Sequence, residues 1–228
     1  MNREILPASI IALMFFLAFY VEPMLQLGCG GKMIGHWGIT GMPDGWVDKN
    51  VGLFLIPALS LVIYLVLLII PKIEVYKKNM RDFDLQFWGF RVVFVFVMGV
   101  IYVASLLPNM GYPTDTLLIV ISGVAVLFFY VGYMLNYTKR NYFVGVRTPW
   151  TLANEKVWEK TNRLAGRLFW VCGALCLVSL VTPAGMRLWF VLAPIILLVI
   201  ATTVYSYLEY RKVKKGQADK ASRRRKKK

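Results

Sequence analysis

The sequence predicts an all-α, polytopic integral membrane protein of about six transmembrane helices, with the N- and C-termini both cytoplasmic. Three observations carry that prediction. Of 228 residues, 58% are hydrophobic and only 17% charged, a balance that suits lipid better than water as the main solvent. The apolar residues collect in blocks of about 18 to 22, the length a helix needs to cross ~30 Å of hydrocarbon. The formal charge of +15 falls almost entirely between alternate blocks, as a positive-inside topology requires.

Taken in order, the predicted spans are residues 5–26, 51–70, 87–107, 115–136, 164–182 and 187–208. Barrel strands are disfavoured because they alternate in polarity and need only about ten residues, whereas these blocks are continuously apolar. The first block is read as a span rather than a cleaved leader: it is long, Glu22 and Pro23 follow it, and no small-x-small cleavage pattern is evident. Pro57 and Pro194 fall inside the second and sixth spans, where a lost backbone donor predicts local kinks. Residues 1–208 form one membrane domain. The basic tail, 209–228, ends SRRRKKK and is expected to be a disordered cytoplasmic extension, having too little apolar surface to fold.

With the N-terminus inside, Lys72, Lys77, Lys78, Arg81, Lys139, Arg140, Arg147, Lys156, Lys160, Arg163 and the tail lie in the cytoplasm. Arg91 and Arg167 are expected to snorkel to its edge, leaving Lys32, Lys49 and Arg187 outside. This distribution explains the charge by topology and contact with anionic headgroups, so direct nucleic-acid binding is not needed to account for it. Glu22 and Asp115 fall near the outer ends of their spans, which argues against an intramembrane proton or ion path.

Between the first two spans lies GCGGKMIGHWGITGMPDGWVDKN, residues 28–50. Its glycines and the Pro43-Asp44-Gly45 sequence predict an ordered, turn-rich external loop. Trp37 and Trp46 suit the headgroup level, and Asp48 or Asn50 can cap the second span. His36 is flanked by Cys29, Asp44 and Asp48, but it is the chain's one histidine, and the spacing fits no metal pattern. No cofactor is implied. Cys172 and Cys176, one helical turn apart, fit packing better than redox chemistry.

The richest local signal is NYFVGVRTPWTLANEKVWEKTNRLAGRLFW, residues 141–170. Thr148 followed by Pro149 reads as a helix start. Beyond it Trp150, Val157 and Leu164 recur at seven-residue spacing, with Glu155, Lys156, Glu159, Lys160 and Arg163 opposite. That pattern predicts an amphipathic interfacial helix running into the fifth span, with Glu159 and Arg163 paired across one turn. By periodicity alone, the segment simply anchors that span.

The run GVRTPWTL, followed by NEKVW and KTNRLAG, resembles the signature of the SdpI family of bacterial membrane proteins. The loop HWGITGMPDGWVDK is similar to a small N-terminal module common in that family. On this resemblance Gly145, Arg147, Thr148, Pro149, Trp150, Asn154, Trp158, Asn162 and Arg163 form a cytoplasmic binding motif. His36, Trp37, Pro43, Asp44, Gly45, Trp46 and Lys49 form an external one. The resemblance implies non-enzymatic immunity to a secreted antimicrobial peptide at the cell membrane. The expected partners are the bilayer, a peptide toxin outside and a transcriptional repressor captured inside.

Two other function classes stay open at this point: a small-molecule or peptide transporter with kinked second and sixth spans along its path, and a lipid-active membrane enzyme. The second is disfavoured, since no nucleophile–base pair, phosphate loop or acid cluster is recognisable. The sequence leaves the oligomeric state open.

Overall fold

The structure, a computed structural model, describes residues 3–225. Helix α1 (Ile5–Val21) ends earlier than the predicted first span, because Pro23 lies in a single 3₁₀ turn, Glu22–Met24, that tightens the chain's exit. Strands β1 (Lys32–Trp37) and β2 (Pro43–Asp48) follow as an antiparallel hairpin. They are followed by α2 (Lys49–Ile73), α3 (Lys77–Asp82), α4 (Asp84–Asn109) and α5 (Thr116–Leu135). After a long loop come α6 (Pro149–Ala153), α7 (Glu155–Ser179), the short α8 (Ala184–Arg187) and α9 (Trp189–Arg225).

Five of the described helices are long and apolar enough to cross a membrane: α1, α2, α4, α5 and α9. The predicted fifth span lies in α7, which packs between α5 and α9. It is less apolar than the others because Asn162, Arg163 and Arg167 sit in its first half. The fold is all-α and polytopic. Large apolar side chains such as Phe16, Phe19, Leu55, Val62 and Leu197 point outward along the helices. At roughly 25 cal/mol per Å², so much apolar surface would be costly in water, whereas a bilayer accepts it.

Inside, α1 contributes Met14, Ala18 and Val21 to a cluster with Leu53 of α2, Tyr102 and Leu106 of α4, and Met33 of the hairpin. At the other end of α4, Phe83 and Phe87 meet Met134 of α5. Helices α5 and α7 approach closely at glycines. A Cβ on Gly166 would stand 2.8 Å from the Gly132 carbonyl oxygen, and one on Gly132 2.7 Å from that of Gly166. Small residues at such crossings replace the hydrophobic drive that lipid cannot supply.

One expectation is corrected here. Arg91 does not snorkel: it is buried and pairs with Glu4 at 2.6 Å, while the Tyr64 hydroxyl donates to the same carboxylate. An arginine short of the surface needs a nearby acid, and Glu4 at the start of α1 supplies one. The helical backbone of α9 runs on to Arg225, through the basic stretch that begins at 209. Residues 226–228 lie outside the described residues.

Candidate functional site

The motif of residues 36–49, expected on the outer side, folds as the hairpin. Lys32 pairs with Asp48, Ile34 with Trp46, His36 with Gly45 and Trp37 with Pro43, with irregular register around His36. The sequence PDG is therefore not the turn. The reversal runs through Gly38–Met42, where the Gly38 amide donates to the Met42 carbonyl, and Pro43, Asp44 and Gly45 belong to β2. Pro43 is tolerated because this two-stranded sheet has free edges. His36 Nδ1 meets Asp44 Oδ1 across the strands, and a Cβ on Gly45 would press on that of His36 at 2.8 Å. Lys49 pairs with Glu22, tying the hairpin's exit to the end of α1. Asp48 occupies the N-cap of α2 without a side-chain bond to it.

Asn109, which sequence reasoning passed over, holds the hairpin on the bundle. Its side chain accepts the Ile34 amide at 2.7 Å and donates to the Ile34 and Ser105 carbonyls. Its own carbonyl accepts the Gln26 amide. Met33 is buried beneath the strands, against Gly52. Trp46, Met42 and Ile39 remain exposed.

The other motif surrounds the long loop at the opposite helix ends. Gly145 has φ +117, and a Cβ there would lie 2.6 Å from Asn162 Oδ1 and 3.1 Å from the Trp158 ring, so only glycine fits. Asn162 Oδ1 accepts the Val146 amide at 2.8 Å, and its Nδ2 donates to the Trp158 carbonyl one turn back. Trp158 is fully buried and donates its indole N–H to the Thr138 carbonyl at 2.9 Å. Three signature residues thus fix the loop onto α7 from beneath.

Thr148 and Thr151 form a reciprocal capping box around Pro149 at the start of α6, and the Thr148 hydroxyl reaches Ser206 Oγ of α9 at 3.0 Å. The Trp150 ring lies 5.1 Å from that of Tyr207, so α6 docks on α9. The single amphipathic helix expected here is instead two, broken at Asn154. That residue is extended (φ −147°, ψ 124°), and its side chain accepts the Lys156 and Val157 amides. An asparagine rewards a fresh N-terminus more than a helix interior. Val157 and Trp158 then turn inward. The expected Glu159–Arg163 pair is absent among the described ion pairs; Lys160 instead meets Glu209 of α9 at 2.6 Å. Arg163 is exposed. Arg147 is exposed too, and donates through Nη1 to the Tyr142 carbonyl.

Three further residues complete this end and were missed. Asn141, buried, binds its own loop through four bonds, to the Lys139 and Val144 carbonyls and the Phe143 and Val144 amides. Glu74, buried at the end of α2, accepts the Tyr76 and Tyr142 amides. Arg140 lies over the Tyr76 ring and donates to the Leu152 carbonyl. The signal available in the sequence was only that each is polar within a loop.

What the arrangement brings together is amides, hydroxyls, rings and arginines, joined by hydrogen bonds and ring contacts. Among the described residues no three of His, Cys, Asp or Glu gather as a metal site would need. Fold and site together define a multi-helix membrane protein with a docked hairpin at one end and a hydrogen-bonded signature loop at the other. Residues 138–206, which take in the signature loop, α6, α7 and the first half of α9, match the model of the SdpI/YfhL protein family. Over 213 residues, 93% of this chain and 98% of the relative, it is 26% identical to the immunity protein SdpI of Bacillus subtilis (strain 168). No solved structure matches it.

Proposed function

We propose that this protein is a non-enzymatic immunity protein of the cell membrane, protecting its host from a secreted antimicrobial peptide. The observation that carries the reading is the similarity to an immunity protein along nearly the whole chain, hairpin and signature loop included. In this reading residues 1–208 form one membrane domain, and both termini and the signature loop are cytoplasmic, as the lopsided lysine and arginine distribution supports. The hairpin then faces outward. Its exposed Ile39, Met42 and Trp46 offer an apolar contact for an incoming peptide, while Arg147, Lys156 and Arg163 offer a basic one for a soluble repressor.

The test is survival of a toxin-sensitive bacterium, lacking its own immunity gene, when it expresses this chain and meets the peptide. Protection is expected, with Trp46→Ala reducing it at unchanged membrane abundance. Full killing despite correct insertion refutes the reading. Impermeant labelling of Lys32 but not Lys156 in intact cells is expected for this orientation.

A further inference from the structure

Beside the signature loop is a cavity of about 490 Å³, within the size range of small-molecule sites. Ile70 of α2, Phe90 of α4, Met134 of α5, and Val199 and Thr203 of α9 line it. Residues 143–148 close its end. Among the described residues the walls are apolar except for threonines and one cation, Arg147, and no carboxylate lines the space. Val199 and Thr203 are also exposed on the outer surface of α9, so the cavity opens sideways between helices, toward the lipid.

Arg147 is held in place by one bond to the Tyr142 carbonyl. A guanidinium has five N–H donors, and the rest of these find no acceptor among the described residues. Its level in the bilayer is marked independently. Tyr142, whose carbonyl it binds, and Tyr207, beside Trp150, are both exposed aromatics, and exposed tyrosines collect at the headgroup layer. An apolar recess at membrane depth, with an unneutralised arginine at headgroup level, is complementary to an anionic amphiphile.

We propose that this cavity is a binding site for an anionic phospholipid of the surrounding bilayer. An acyl chain enters between α2 and α9, and the headgroup phosphate takes charge-assisted hydrogen bonds from Arg147. The site shares Arg147 with the repressor contact proposed above, but its test involves neither toxin nor repressor, so failure of one reading is distinguishable from failure of the other.

Native mass spectrometry of the detergent-solubilised protein, with added phosphatidylglycerol or phosphatidylcholine of identical chains, tests it. One phosphatidylglycerol should be retained in preference, by about fivefold, the equivalent of ~1 kcal/mol for one basic residue at an anionic surface. Arg147→Ala should abolish the preference. Val199→Trp, placed at an exposed position so that the core is undisturbed, should fill the mouth and remove bound lipid of either kind. Glycerol 3-phosphate, a headgroup without chains, should not compete. Equal retention of the two lipids by the unmodified protein, undiminished lipid in Val199→Trp, or displacement by glycerol 3-phosphate would each overturn the proposal.

Discussion

The Glu74 carboxylate, fully buried, accepts the Tyr142 amide at 2.9 Å through one oxygen and the Tyr76 amide at 2.8 Å through the other. One side chain thereby ties the end of α2 to a loop 68 residues further along. Tyr76 and Tyr142 stack above it with ring centres 5.4 Å apart.

Replacing Glu74 by Ala leaves two part-buried amides without their carboxylate acceptor, a loss of at most about 1–3 kcal/mol each. A lower Tm is expected, together with faster hydrogen exchange over residues 140–146. Exchange there at the unmodified rate would show that Asn141 and Asn162 hold the loop without Glu74.

Gly145→Ala is expected to be among the most damaging single-methyl changes in the chain. The residue would be forced to stay at φ +117, a strain of order 1–3 kcal/mol, or release the Val146 amide from Asn162. Gly185→Ala, where nothing lies within 4 Å of the added carbon, is the control. Thermal unfolding should separate the two, and equal Tm values would show that the loop relaxes without cost.

The apolar blocks announced the fold because bilayer thickness alone sets their length, and α2, α4 and α5 agree with the predicted spans to within a few residues. Where prediction missed, a local preference had been read without its tertiary partner. Arg91 was given to the interface because nothing in the sequence ties it to Glu4, 87 positions away. The Pro43-Asp44-Gly45 sequence looks like a turn, but pairing of Trp37 with Pro43 draws it into a strand and moves the reversal to Gly38–Met42. Periodicity from Trp150 to Leu164 suggested one helix, yet an asparagine in the middle favours starting a second. Among the site residues, Gly145, Trp158 and Asn162 were legible as a motif. Asn109, Asn141 and Glu74 were not, because their partners are backbone groups, which leave no mark in the sequence.

Asp115 caps α5 by accepting the Leu118 amide at 3.0 Å and also pairs with Arg187, joining the start of α5 to the end of α8. Burial pushes its carboxyl up, but the Arg187 hydrogen bond and the Leu118 amide together outweigh that and hold it below its usual value. A carboxylate with a depressed folded-state pKa adds stability that is fully present above its unfolded value and is lost as pH falls through the folded one. The contribution should therefore be intact at neutral pH and disappear on acidification below the ordinary aspartate range of about 4. Asp115→Asn keeps the capping oxygen and removes the charge, so its Tm should lie below that of the unmodified protein at pH 7 and converge on it in acid. A difference that stays constant with pH would assign the effect to capping geometry rather than to the ion pair.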